Sequence, residues 1–228
     1  METNKIYISL GLQCLTPELL KIYNLRKNSY PFDWILSNPY FVYKILFLLL
    51  EDNMSISKIV REHFFRNDNQ CVLKKKEHYI FVKKKNSCNQ IYICNQKYNV
   101  VFPHDTYNEE TINKYIRRFK RLKNNIINKS LKIQFIYISQ SSLDSGNFTI
   151  MGEEVVKNVY ENMNSINLLI KKYNKNSNIL IFDSIQNEDP NMLNKDIRLY
   201  KISPKNSWME LSVEIQIILS NLIYFALI

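Results

Sequence analysis

The last third of the chain alternates two kinds of segment, and this alternation restricts the fold more than any other feature. "KIQFIYIS" (132–139), "NILIFDSI" (178–185) and "IRLYKIS" (197–203) are short, β-favouring and largely apolar. Between and after them the period is helical. Residues 152–172 put Val155, Val159, Met163, Ile166 and Ile170 on one face, and 209–228 reads as a closing helix. Strands that are apolar on both faces need cover on both, and strands separated by helices return in parallel. The pattern predicts an α/β fold with a mostly parallel sheet and helices on both faces, a Rossmann-like three-layer sandwich. Sites in such sheets form outside the carboxyl ends of the strands. That edge would gather Gly11–Cys14, Ser139–Ser142, Asp183–Ser184 and Ser203.

Upstream, "KIYISL" (5–10) reads as a first strand that stops at Gly11. Thr16, Pro17 and Glu18 then supply a cap, a proline for the first helical position and an early acid, so a helix runs from there to about Leu25. Asn38-Pro39 opens a second helix (38–50) that is apolar nearly all round, and 55–65 reads as a third. A helix over 108–127 sets Ile112, Tyr115, Phe119, Leu122 and Ile126 against a basic side of Lys114, Arg117, Arg118 and Arg121. Residues 71–101 have another character. "KEHYIFV", "QIYIC" and "KYNVV", separated by "KKKNS" and "NQ", predict an antiparallel β-meander. With 228 residues, 46% of them hydrophobic, the chain reads as one α/β domain over 1–228, with the meander as an insertion or sheet extension.

Several classes of function drop out. The three glycines, Gly11, Gly146 and Gly152, form neither G-x-x-x-x-G-K-[ST] nor G-x-G-x-x-G. Residues 1–130 hold 22 Lys and Arg against 11 Asp and Glu, and 131–228 hold 9 against 10. A basic first half attracts anions, yet Asn, Lys, Ile and Tyr are all over-used, which weighs against reading the lysines as a specific nucleic-acid site. Cys14, Cys71, Cys88 and Cys94 show no tight pairing, and nothing at the start resembles a signal peptide. The terminal "IQIILSNLIYFALI" has 14 residues, too few for a span of about 20. The expectation is a reduced, cytoplasmic protein with no membrane span and no cofactor; its oligomeric state is not legible.

Cys14 follows a strand and precedes a helix, where amide groups and the helix dipole favour a thiolate. The alternative is an inert core thiol. A C-x5-R phosphatase loop is excluded, because the sixth residues after the four cysteines are Leu20, Glu77, Cys94 and Val100. His104, in "VFPHDT", stands where a general base could reach a strand-end nucleophile, or could simply cap the next helix. Asp105 is its neighbour, and Asp33 sits among Tyr30, Phe32 and Trp34 in "SYPFDW". Cys71, His78, Cys88 and Cys94 lack the C-x2-C pairs of ordinary zinc knuckles, so no metal site is expected. The basic helix side reads as solvated, although an arginine near Cys14 or His104 could hold a carboxylate or phosphate.

"ISLGLQC", "LRKNSYPFDWI" and "VVFPHDT", with "YIRRFKRL" in the helix that follows, resemble a papain-like cysteine peptidase family of bacteria and large DNA viruses, domain of unknown function 1796. The resemblance covers about residues 5–140. It implies Cys14 as nucleophile, His104 as base, Asp105 or Asp33 as the orienting acid, and Arg26 and Arg118 as matching basic positions. Gly11, Gln13, Tyr30 and Trp34 join the arginines as expected substrate-binding residues. A papain-like site puts its cysteine at the start of a long central helix and its histidine on an antiparallel sheet, whereas the alternation here puts Cys14 after the first strand of a parallel one. The expected function is a cysteine-dependent hydrolase or acyltransferase acting on a small-molecule, peptide or glycan substrate. Two alternatives stand beside it. One is a glycan-modifying transferase or SGNH-like hydrolase for an anionic sugar derivative, in which Cys14 only packs; the other is a non-catalytic basic binding module.

Overall fold

The structure, a computed structural model, describes residues 5–11, 14–52, 54–65, 70–72, 91–95, 98, 100–102, 104–139, 159–183 and 189–202, together with 213, 215, 217 and 218. Its centre is a four-stranded parallel sheet in the order β1 (Lys5–Ser9), β5 (Lys132–Ser139), β6 (Ser177–Asp183), β7 (Ile197–Lys201). Ser9 pairs with Ile136, Ser139 with Asp183, and Asp183 with Lys201, so the carboxyl ends collect along one edge as the alternation predicts.

Side chains of one strand part to opposite faces. Phe135 and Tyr137 join Ile8, Ile179 and Ile181 in a core roofed by α2 (Pro39–Leu50), α4 (Glu109–Ile127) and α5 (Val159–Tyr173). Ile136 and Ile138 join Leu180 and Phe182 in a second core, which meets Leu15, Leu19 and Leu20 of α1 (Leu15–Ile22) and Ile215. The result is an α/β, sandwich-like arrangement: a mostly parallel sheet flanked by helices.

α1 begins two residues before the Thr16-Pro17 pattern implies, with Cys14 as its cap residue. The reason is that amides of a first helical turn have no intrahelical acceptor, so Pro17 fits the third position as well as the first and does not fix the start. α2 starts as expected: the Asn38 side chain accepts from the Phe41 amide, and Pro39 follows it. The helix read over 55–65 is a short α3 (Ile56–Lys58) continuing as a π-helix over Ile59–Phe65. Its wider turn carries both Phe64 and Phe65 into the core, and the Phe64 ring lies about 5 Å from those of Phe102, Tyr115 and Phe119.

β2 (Gln70–Val72), β3 (Ile91–Asn95) and β4 (Val100–Phe102) pair antiparallel in a second sheet. The strand expected at 76–82 lies outside the described residues, as do His78 and Cys88. The Asn95 side chain donates to the carbonyls of His63 and Phe64, which ties β3 to the π-helix. Among the described residues no helix is long and apolar enough to cross a membrane.

Candidate active site

The site begins where β1 leaves the sheet. Leu10 still donates to the Ile136 carbonyl; then Gly11 turns at φ +90°, a conformation that favours glycine. A Cβ there would collide with Ser37 Oγ, so a side chain would also have to displace that hydroxyl. The Gly11 amide donates to Ser9 Oγ, which fixes the turn from the other side. The chain then delivers Cys14 to the start of α1.

Against it stands His104, two residues past β4. Cys14 Sγ lies 3.4 Å from His104 Nε2, while the thiol residue is only 4% exposed and the histidine is exposed. The pair therefore joins the carboxyl edge of the parallel sheet to the end of the antiparallel one. The connection is built from the "SYPFDW" loop. Leu36 and Val101 exchange both backbone hydrogen bonds at 2.9 Å, which clamps the loop to β4. Phe32, fully buried, anchors it among Phe41, Phe64 and Phe119. Between these anchors Trp34 is held at φ +66°, and its ring meets the His104 ring edge to face, centroids 6.2 Å apart. A non-glycine residue in that region is strained by about 1–2 kcal/mol.

Behind Trp34 lies a buried ion pair. The Arg26 guanidinium sits 5.5 Å over the Trp34 ring and donates to Asp33 Oδ2 from Nε at 3.1 Å and from Nη2 at 2.8 Å; Nη2 also reaches Ser29 Oγ. The Tyr30 amide is a third donor to Asp33, whose residue is 1% exposed. Burial pushes the Asp33 carboxyl up, while Arg26, the Tyr30 amide and Arg118 pull it back. Asp33 thus reaches the imidazole through Arg26 and Trp34. The other acid is also committed: Asp105 is paired with Lys114 and accepts from the Tyr115 hydroxyl at 2.7 Å. Burial and the Asp105 carboxylate hold that hydroxyl well above its ordinary value, so Tyr115 donates.

Tyr30 is turned into the core, its hydroxyl accepting from Asn125. Gln13 lies outside the described residues. Lys114, Tyr115 and Ser37 were not singled out as site residues. A buried tyrosine on the apolar side of a helix carries a hydroxyl that needs a partner, which was the one available signal for Tyr115.

Over residues 5–178, well over half of its length, the chain matches the family model described as "Putative papain-like cysteine peptidase (DUF1796)". The chain belongs to this family. Neither the curated proteins nor the solved structures contain a match to it. The matched span of this DUF1796 protein holds the whole Cys14–His104 contact and its support, and ends before Asp183 and Lys201.

One electrostatic expectation for the DUF1796 site is overturned. A helix start was expected to favour the Cys14 thiolate; instead the thiol is pushed up to about 12. Burial is the main cause, and the Glu18 carboxylate of the first helical turn adds to it. The backbone amide of Cys14 itself pulls the thiol back only in part, and the side chain makes no capping hydrogen bond further into the helix.

Proposed function

We propose that this DUF1796 protein is a cysteine-dependent hydrolase or acyltransferase with Cys14 as nucleophile and His104 as general base. The observation that carries the reading is the 3.4 Å contact between Sγ and Nε2 at the carboxyl edge of the sheet. A thiol held near 12 is neutral at pH 7, so its proton passes to Nε2 as Sγ attacks an acyl carbonyl. The tetrahedral intermediate collapses as His104 returns that proton to the leaving group, giving a thioester on Cys14. Water or another acceptor, deprotonated by His104, then attacks the thioester and regenerates the thiol. The backbone amides of Cys14 and Leu15 at the start of α1 would face the oxyanion. Asp33 serves as a positioning residue, acting on the imidazole through Arg26 and Trp34; Asp105 sets the segment through Lys114 and Tyr115.

The remaining readings accompany this one. Residues 1–228 form a single Rossmann-like unit in the cytoplasm, with 71–101 as an inserted meander, and the substrate is a small molecule, peptide or glycan. A transferase for an anionic sugar derivative is the second reading, favoured by the burial of Cys14. The test is mass spectrometry after exposure to p-nitrophenyl acetate. An acetyl group on Cys14 that is absent in Cys14→Ala and slower to form in His104→Ala is expected. Equal labelling of all four cysteines would overturn the reading.

A further inference from the structure

The basic side of α4 is not uniformly solvated. Lys114, at its start, is paired with Asp105, and Arg121, two turns on, donates to the Ser29 carbonyl at 2.7 Å. The Arg121 contact lays α4 along the loop that carries Asp33 and Trp34, and the Lys114 contact ties it to the segment that carries His104. Arg118 falls between them, half-buried, with its guanidinium 5.0 Å over the Tyr115 ring. It makes no hydrogen bond or ion pair among the described residues. It is close enough to both Asp33 and Tyr115 for its charge to act on them. Both lie beside the support of His104, the residue that meets Cys14: Asp33 precedes Trp34, whose ring meets the imidazole, and the Tyr115 hydroxyl holds Asp105, which follows His104.

Arg26 and Lys114 are each neutralised by their own carboxylate, so Arg118 brings an unbalanced positive charge to this wall of the site. A guanidinium stacked on an aromatic face keeps its planar fork of donors free for bidentate recognition of a carboxylate. We infer that Arg118 is a specificity-determining residue that holds a substrate carboxylate beside the Cys14–His104 pair, so that the preferred acyl substrates carry a negative charge near the scissile carbonyl. This deepens the cysteine-hydrolase reading and rests on it. One guanidinium matches a monoanion, which favours a carboxylate over a doubly charged phosphate.

The test uses the full chain and two thiol reagents of similar size, dithiobis(nitrobenzoate), which carries carboxylates, and neutral dithiodipyridine. The ratio of their rates at Cys14, read by peptide mass spectrometry, cancels any general loss of reactivity. We expect the ratio to fall about tenfold in Arg118→Gln, the scale of one charge-assisted hydrogen bond. Arg118→Lys should retain part of it. Arg117→Gln, the same charge change at an exposed neighbour, should leave it at the wild-type value. An equal fall in Arg117→Gln, or none in Arg118→Gln, overturns the Arg118 assignment while Cys14 chemistry stands. Cys14 inert to both reagents until the protein unfolds overturns both readings.

Discussion

Trp34 meets His104 edge to face, ring planes at 88°, from a backbone position in the left-handed region. Its ring also carries the Arg26 guanidinium. Trp34→Ala removes both ring contacts, each worth about 0.5–1.5 kcal/mol, and leaves the strain in place. Trp34→Gly removes the same contacts and relieves the strain. Trp34→Gly should therefore be the more stable variant by about 1 kcal/mol in urea denaturation, against the usual order of alanine and glycine. Alanine above glycine would mean that φ +66° is not retained.

Asp33 and Arg26 should behave as a coupled pair. Removing the cation alone leaves a buried carboxylate unpaired, so Arg26→Ala should lose about 3–5 kcal/mol, and Arg26→Ala with Asp33→Asn should recover part of it. The sign of the pH dependence follows from burial, which holds the Asp33 carboxyl above its ordinary value. Without Arg26 it rises further, so the folded variant binds the proton more tightly than the unfolded chain. Its stability is then greatest at acid pH and falls as pH rises through the raised value. The gap between wild type and Arg26→Ala should narrow on acidification; a gap that widens would count against a buried, unpaired carboxylate.

The parallel sheet was legible because three largely apolar strands allow no other cover, and β5 runs over the residues read from the sequence. The site was legible as a set of places. The Cys14 and His104 contact follows from two strand ends, of β1 and of β4, brought together, and periodicity locates each end without giving the distance between them. The thiol's protonation was not legible: a helix start argues for a thiolate, and only burial, a property of the fold around it, decides otherwise. The roles of the two acids were hidden for a related reason. Asp33 is claimed by Arg26 as their loop folds back on itself, and Asp105 by Lys114 and Tyr115 of α4, and no spacing in the chain records that packing.

Gly11 offers a test of how the nucleophile is delivered. Gly11→Ala adds both a positive-φ penalty of about 1–2 kcal/mol and a collision with Ser37 Oγ. Pairing it with Ser37→Ala removes the collision and leaves the penalty. The double variant should be more stable than Gly11→Ala alone in thermal denaturation, yet below Ser37→Ala. Should the double variant match Ser37→Ala, the turn at Gly11 does not have the conformation described.

The protonation of Cys14 can be read from its alkylation by iodoacetamide as a function of pH, peptide by peptide. Reaction requires the thiolate, so the rate at an ordinary thiol climbs about tenfold per pH unit and levels near its pKa, about 8.5. Cys14, held near 12, should still be climbing at pH 10, when unfolded protein has levelled. Linkage gives the matching stability effect. The folded value lies above the unfolded one, so the contribution of the protonated thiol is full below about pH 8.5 and is lost as pH rises towards 12. Cys14→Ala should accordingly lose less stability than wild type between pH 9 and 11. Levelling of the Cys14 rate below pH 7 would mean instead that the thiol has already passed its proton to His104, and that the 3.4 Å contact is an ion pair before any substrate arrives.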